Sequence, residues 1–289
     1  MSTLGASPIG EPVGRPARSQ LRRLTVAGTS LSTSRIGLGT HALHRLLSRR
    51  ARQNLLAGAF DRGLRYFDTA PSYGAGIAEL ELGRFAAGRR SELVLTTKFG
   101  IAAGRMAAAI PGWVYAQMAL RVIAGATGTK RFLGRAPPRD FSAARARASV
   151  DSSLRRLRTD HVDILFLHEP RLELLGDPES LLRALEALKA AGKVRYFGLS
   201  GDGAQCGRIA GAHPALAEVL QTEVARDADG LPLPGSPQRA AVRFWEWSAP
   251  LPAGQTAPTI QRLREVESES VLVLSTNVAN GLQEVVDSM

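Results

Sequence analysis

Four polar residues are placed in the chain so that they could carry out proton transfer. Asp68, Lys98 and His168 each stand at the end of a mainly apolar run. Tyr73 follows Asp68 after a short turn sequence. In a parallel barrel the carboxyl ends of all strands meet on one face, so residues far apart in sequence can surround one substrate atom. An acid, an amine, an imidazole and a phenol on that face would form a proton-transfer set.

The phenol of Tyr73 is by itself too weak an acid to donate a proton efficiently at neutral pH, because the ordinary pKa of tyrosine is about 10. A neighbouring ammonium group favours the phenolate, so Lys98 is predicted to lower the pKa of Tyr73. Asp68 would hold that lysine through a charge-assisted hydrogen bond. His168 would donate to the same substrate oxygen or orient it. Such a set can protonate an oxyanion as it forms, which is what the reduction of a carbonyl group requires.

Each of these residues also has a structural explanation when it is taken alone. Asp68 could cap the turn that follows it, and Tyr73 could be an ordinary surface aromatic. Lys98 could be a solvated charge at a strand end, and His168 could close its strand. The coincidence of all four on one face favours the catalytic interpretation. The other histidines are interpreted as structural, although His41 follows the first strand and could line the pocket.

A repeating order of strand and helix would position these residues. Residues 21–26 and 31–36 flank a glycine-containing turn, which predicts a β-hairpin that could plug one end of a barrel. Apolar runs then alternate with segments of helical spacing. Strands are predicted at residues 36–40, 65–68, 93–98, 162–168, 194–200, 217–221, 241–247 and 270–274. Helices are predicted at residues 50–62, 76–87, 142–158, 178–191, 259–266 and 280–287.

Eight strands in this order predict an α/β fold, a (β/α)8 TIM barrel with an N-terminal β-hairpin and abbreviated C-terminal units. A doubly wound open sheet is the competing architecture, but its glycine-rich turn after the first strand is absent. We expect residues 21–289 to form one domain and residues 1–20, rich in glycine and proline, to be a disordered tail. The insertion at residues 100–140 could be a substrate lid or an irregular helical excursion.

The composition limits the classes of function. The net charge of +11 comes from arginines scattered along the chain without aromatic interleaving, so no nucleic-acid partner is expected. The single cysteine, Cys206, suits a reducing compartment. No metal-binding spacing, secretory signal or membrane span is evident. We therefore expect a cytoplasmic protein with a small-molecule substrate and no bound metal.

Several motifs, taken in order, resemble those of the aldo-keto reductase superfamily. The matching stretches lie at residues 36–40, 67–74, 96–100, 153–157, 163–168 and 192–200, and the most specific is Asp-Thr-Ala-Pro-Ser-Tyr-Gly at residues 68–74. The resemblance implies an eight-stranded barrel that transfers hydride between a nicotinamide cofactor, usually NADP(H), and an aldehyde or ketone. It implies that Tyr73 is the general acid, tuned by Lys98 and Asp68. His168 would position the carbonyl group.

The resemblance also implies which residues bind NADP(H) or NAD(H). Ser200 and Gln221 match positions that hold the carboxamide. Trp247 resembles the aromatic residue that stacks on the nicotinamide ring, although it could instead be a buried strand aromatic. The whole implied set is Gly39, Thr40, Ser200, Gln221, Trp247, Ser275, Thr276 and Asn277.

The chain departs from the family pattern at its cofactor positions. Gly201 stands where the family usually has an asparagine, and the usual arginine and asparagine are missing after Asn277. No arginine or lysine follows Arg264, so the clamp for a 2'-phosphate is missing from its expected place, and the preference for NADPH is open. These departures motivate an alternative hypothesis, a barrel with weak or no turnover that serves a binding or regulatory role.

Overall fold

The computed structural model describes residues 23–101, 138–226, 240–247, 255–266, 269–276 and 281–288, and only the backbone of residues 247, 266, 281 and 282. Eight parallel strands close into a barrel, and an antiparallel hairpin precedes them. The prediction of a (β/α)8 barrel with an N-terminal hairpin is therefore confirmed. The predicted tail at residues 1–20 and most of the insertion at residues 100–140 lie outside the described residues.

The strands form one hairpin and one closed ring. The hairpin consists of β1 (Arg23–Thr25) and β2 (Ser32–Ser34). The barrel strands are β3 (Ile36–Gly39), β4 (Tyr66–Asp68), β5 (Val94–Phe99), β6 (Val162–His168), β7 (Val194–Gly201), β8 (Val219–Glu223), β9 (Val242–Trp247) and β10 (Val271–Thr276). Each of these strands pairs in parallel with the next, and β10 pairs with β3 to close the ring.

The helices alternate with the strands. They are α1 (Arg49–Asp61), α2 (Ile77–Ala86), α3 (Ala143–Leu157), α4 (Pro178–Ala190), α5 (Gly203–Ala212), α6 (Thr256–Val266) and α7 (Gly281–Asp287). Four of them begin after a side chain that accepts a hydrogen bond from a first-turn N–H, which fixes where the helix starts; these caps are Ser48, Ser142, Asp177 and Asp202. Within the described ranges, no helix combines the length and the apolar character needed to cross a membrane.

The structure differs from the sequence-based prediction in three elements. Helix α5 is not predicted by the pattern, because its glycine-rich sequence weakens the helical signal and only Cys206 and Ile209 on it are buried. Strand β8 lies two residues later than predicted. Strand β10 continues through Ser275 and Thr276. The C-terminal units are predicted to be abbreviated, and the final helix, α7, is indeed only seven residues long. Strands β9 and β10 have six residues each, the same length as β5, so the strands of these units are not shortened.

Alternation along the strands divides the apolar core into two layers. On β6, Ile164 and Phe166 belong to a cluster inside the barrel. Leu165 and Leu167 belong to the larger cluster between the sheet and the helices. This is the period-two pattern of a strand that is buried on both faces, and it explains why β6 is apolar between Asp163 and His168.

The hairpin closes the amino-terminal end of the barrel. Val26 and Leu31, in the turn between its strands, are buried in the interior cluster. The backbone N–H of Ser30 donates to the hydroxyl of Tyr196 on β7, at 2.9 Å. The expected plug is therefore present. Because apolar side chains fill the barrel from this end, the carboxyl end is left for a polar site.

We predict that Gly83 is required for α2 to pack closely on α3. A Cβ at Gly83 would lie 2.6 Å from the Cα of Leu157. Gly83→Ala should therefore lower the free energy of unfolding by about 1–3 kcal/mol through overpacking. Gly211→Ala in α5 is the matched control, because nothing lies within 4 Å of a Cβ there, and it should be neutral or slightly stabilising. Urea unfolding measures both variants, and equal stability would contradict the packing argument.

Candidate active site

A cavity of about 990 Å³ lies at the carboxyl ends of the barrel strands. It is lined by residues at or near the ends of all eight strands, and these are Gly39, Asp68, Lys98, His168, Ser200, Gln221, Glu223, Glu246 and Ser275. The alternation that points Tyr66, Val94 and Ile164 into the interior cluster continues two or four residues later with polar residues. Tyr73 also lines the cavity, so the structure brings all four predicted catalytic residues together.

Lys98 and Asp68 form a buried ion pair between β5 and β4. Nζ of Lys98 donates to Oδ2 of Asp68, and also to the backbone oxygen of Thr69 at 3.1 Å. The hydroxyl of Thr96 donates to the other carboxylate oxygen at 2.7 Å. Only 2% of the Lys98 side chain and 5% of the Asp68 side chain are exposed. Burial lowers the pKa of Lys98, and the attraction of Asp68 opposes that effect.

Tyr73 lies beside this ion pair at the start of a tight turn. Nζ of Lys98 is 4.9 Å from the centre of the Tyr73 ring. The ring centres of Tyr73 and His168 are 5.7 Å apart in an edge-to-face arrangement. The next residue, Gly74, has a φ of 53°, and a Cβ there would collide with the side chain of His44. Glycine at this position therefore allows the chain to turn while Tyr73 stays in the cavity.

The pKa of Tyr73 lies well above its ordinary value, so the expected lowering by Lys98 is wrong in this structure. Burial is the main cause, and the negative charges of Asp68, Glu246 and Glu169 add to it. Asp68 forms an ion pair with Lys98, and its negative charge opposes the effect of the ammonium on the phenol. Tyr73 is consequently a protonated phenol at neutral pH.

His168 is a neutral imidazole at neutral pH. Burial lowers its pKa well below the ordinary value, and the charges of Lys98, His41 and Arg139 act in the same direction. Its Nδ1 atom has no hydrogen-bond partner in the part of the chain that the structure describes. A neutral imidazole can donate from one ring nitrogen and accept at the other, so His168 is suited to orient a substrate oxygen.

Four of the predicted cofactor residues line the cavity, namely Gly39, Ser200, Gln221 and Ser275. Oε1 of Gln221 and Oγ of Ser275 are buried and have no hydrogen-bond partner within the described ranges. A buried polar atom without a partner costs free energy, so such atoms are usually satisfied by a ligand or water. Their place in the cavity indicates a polar ligand beside β8 and β10.

The other predicted cofactor residues are placed differently. Thr40 is buried and donates to the backbone oxygen of Asp68, at 2.9 Å from both its N–H and its hydroxyl, so it fixes the end of β4. Thr276 is buried and, like Thr40, is not among the residues that line the cavity. Asn277 and the side chain of Trp247 lie outside the described part of the chain. Contact of these four residues with a cofactor stays a prediction.

The glycine at position 201 has a structural reason. Gly201 has a φ of 154°, and a Cβ there would lie 3.0 Å from the Cα of Glu169. The N–H of Glu169 donates to the backbone oxygen of Ser200 at 2.6 Å. A side chain at position 201 would therefore crowd the end of β6, in a backbone conformation that glycine adopts most readily.

Sequence analysis missed several residues that line the cavity. Glu223 and Glu246 occupy inward positions on β8 and β9. The available signal was a charge two or four residues after an inward apolar residue, Val219 on β8 and Val242 on β9. The others lie beyond the strand ends, where no periodic pattern identifies them; they include Ile101, Arg139, Glu169, Arg171, Asp202, Gln205 and Arg226. Across the described ranges, no three metal-binding side chains come together.

Comparison with known proteins assigns the chain to a family. The model of the aldo/keto reductase family matches residues 35–220, which contain β3 to β7 and the four clustered side chains. This chain belongs to the aldo/keto reductase family. Within that family, the solved structure of an aldo-keto reductase from Bacillus halodurans in its holo form superposes with a TM-score of 0.64 over 93% of this chain and 91% of the other. At 18% sequence identity, this likeness supports the fold alone.

Curated aldo/keto reductase relatives match a shorter stretch. D-threo-aldose 1-dehydrogenase from Pseudomonas sp is 36% identical over 162 residues, which cover 54% of this chain and 46% of that protein. L-galactose dehydrogenase from Arabidopsis thaliana is 31% identical over 189 residues, 63% of this chain and 48% of the other. The match therefore spans about half the length of these two relatives.

We predict that Lys98→Met lowers the free energy of unfolding by about 3–5 kcal/mol, because it leaves the buried Asp68 carboxylate without its partner. Adding Asp68→Asn to that variant should recover part of the loss by removing the charge. Lys193→Met is the matched control, since Lys193 pairs with Asp151 where both side chains are more than one-third exposed, and it should cost less than about 1 kcal/mol. Equal costs at both lysines in urea unfolding would contradict the assignment.

Proposed function

We propose that this chain is an NAD(P)(H)-dependent oxidoreductase that interconverts a small aldehyde or ketone and its alcohol. The observation that carries the proposal is the convergence of the four predicted catalytic side chains in one cavity at the carboxyl end of the barrel. Membership of the aldo/keto reductase family and the dehydrogenase names of its relatives support the same reaction.

Tyr73 donates the proton to the substrate oxygen in reduction and receives it in oxidation. The phenol is protonated at neutral pH, and because its pKa is raised, the phenolate must be stabilised as it forms. The Lys98 ammonium lies 4.9 Å from the centre of the ring, so its positive charge stabilises the phenolate as the proton leaves. Asp68 keeps Lys98 charged and in place, and His168 holds the substrate oxygen toward the phenol.

The buried polar atoms without partners fit the carboxamide of a nicotinamide cofactor. The amide of Gln221 offers both donors and an acceptor, and the hydroxyls of Ser200 and Ser275 can do the same. When bound, the cofactor supplies the hydride for reduction or accepts it in oxidation. We propose that NADP(H) and NAD(H) are both candidates, because no basic residue follows Arg264 to hold a 2'-phosphate.

The charged lining favours a hydroxylated substrate. The cavity is lined by Arg139, Arg171 and Arg226 together with acidic side chains. Such charged groups form hydrogen bonds with the hydroxyls of a sugar, whereas an alkyl substrate would leave them without partners. The names of the two relatives refer to an aldose and to galactose. Sugar aldehydes and sugar alcohols are therefore the first substrates to test.

We also propose that residues 21–289 form a single domain and that the protein is cytoplasmic. The described strands from β3 to β10 belong to one ring, which supports the first statement. The one cysteine, Cys206, is buried and free, as expected in a reducing compartment.

Tyr73→Phe should lower kcat for the reduction of a reactive aldehyde by about 100-fold or more, because it removes the proton donor. Cofactor affinity should change little, since the substitution removes only a hydroxyl. Tyr196→Phe is the matched control, because that hydroxyl contacts Ser30 at the closed end of the barrel. Stopped-flow absorbance of the reduced cofactor measures the rate, and full activity in Tyr73→Phe would overturn the mechanism.

Gln221→Leu should weaken cofactor binding by about 10-fold, because the carboxamide would lose its buried amide partner. Gln261→Leu, on the exposed side of α6, is the control and should bind as the wild type does. Quenching of tryptophan fluorescence on titration with each cofactor gives the dissociation constants. Absence of quenching of the wild type by either cofactor at millimolar concentration would favour the binding or regulatory barrel instead.

A further inference from the structure

A second imidazole contacts Tyr73 in the cavity. The ring of His41, which follows β3, lies edge to face with the ring of Tyr73, with centres 4.9 Å apart and an interplanar angle of 63°. Nδ1 of His41 lies 3.4 Å from Oε1 of Glu246 on β9. That separation is within ion-pair distance but long for a hydrogen bond, so the contact is mainly electrostatic. All three residues line the cavity.

We propose that His41 and Glu246 form a positioning pair for Tyr73. In this pair the His41 ring packs against the phenol ring, and its imidazole offsets the negative charge that Glu246 imposes on the phenol. The pair acts through Tyr73 and need not touch the substrate. Its kinetic consequence rests on the proposed function, but its effect on the ionisation of the residue-73 phenol does not.

The other two carboxylates that act on Tyr73 each have a cationic partner. Asp68 is paired with Lys98, and Glu169 is paired with Arg139. His168 is kept neutral by burial, which lowers its pKa. The effect of Glu246 on the phenol therefore depends on which groups lie beside the Glu246 carboxylate.

The neighbours of Glu246 single out His41. The pKa of Glu246 is lowered, and His41 is the largest cause, ahead of the charges of Arg226 and Arg45. Arg226 uses one nitrogen to donate to the backbone oxygen of Glu246 at 2.7 Å, and another lies 3.5 Å from the Glu223 carboxylate. His41 thus contacts both the carboxylate and the phenol.

The groups that face His41 include two other histidines. Nδ1 of His44 lies 3.0 Å from the backbone oxygen of His41, and burial lowers the pKa of His44. His168 is likewise neutral at neutral pH. Neither of them competes for the charge of Glu246 under those conditions. Removal of the His41 imidazole therefore changes the field of Glu246 at Tyr73 with little compensation from these two histidines.

The ionisation of the phenol can be measured without turnover. The probe is 3-nitrotyrosine incorporated at position 73, since its nitro group lowers the phenol pKa and its phenolate absorbs visible light. Glu246→Gln removes the negative charge and should lower the titration midpoint by about 0.5–1 pH unit. His41→Phe keeps an aromatic ring beside the phenol but leaves Glu246 without the imidazole, so it should raise the midpoint.

His161→Gln is the matched control, because His161 contacts the Asp160 carboxylate at 2.6 Å at the start of β6, away from the cavity, and it should leave the midpoint unchanged. Circular dichroism checks that each variant is folded. If one of the two cavity variants does not fold, the midpoint shift of the other still tests the proposal. Shifts in the same direction for Glu246→Gln and His41→Phe, or shifts no larger than the control, would overturn the pair.

The same variants, with tyrosine at position 73, separate this inference from the proposed function. In the oxidation direction at fixed pH, a lower phenol midpoint should raise kcat/KM of Glu246→Gln by about 3–10-fold, and His41→Phe should lower it. If the two variants shift the midpoint in opposite directions but the protein shows no turnover, the positioning pair is supported and the proposed oxidoreductase function is contradicted. Normal turnover with unshifted midpoints would support the oxidoreductase function and contradict the positioning pair.

Discussion

The buried ion pair of Lys98 and Asp68 is the interaction on which the site depends. Neither charge could remain in so apolar a barrel without the other, because the desolvation of a single buried charge is not compensated. The parallel register that pairs Asp68 with Thr96 places the two side chains on neighbouring inward positions of β4 and β5. The pair therefore holds two strand ends together while it places a positive charge beside Tyr73.

This pair belongs to a polar layer that the barrel geometry imposes. Inward positions alternate along every strand, and at the amino-terminal end they are filled by apolar residues such as Val94 and Ile164, below the hairpin plug. Two or four residues further on, the same positions carry charged or hydrogen-bonding groups. Burial and, after it, the mutual charges of these groups decide which of them is ionised, and together they leave Tyr73 protonated and His168 neutral.

The sequence predicts the parts of this arrangement that follow from local pattern. Apolar runs locate all eight strands, and the strand ends identify Asp68, Lys98 and His168. Helix α5 escapes prediction because its glycines weaken the helical period. Glu246 is not predicted as a site residue, because its role depends on which face of β9 points into the barrel. The direction of the Tyr73 pKa shift is predicted wrongly, since the sequence names Lys98 as a neighbour but does not show how deeply the phenol is buried.

The central claim is that one cavity brings together a reducing cofactor and the Tyr73 proton donor. Incubation of the protein with a sugar aldehyde and a reduced nicotinamide cofactor deuterated at its transferable position tests this most directly, with mass spectrometry of the products. The account predicts one deuterium on the former carbonyl carbon of the alcohol, and loss of that transfer in Tyr73→Phe. Alcohol formed without deuterium, or undiminished transfer in Tyr73→Phe, would contradict it.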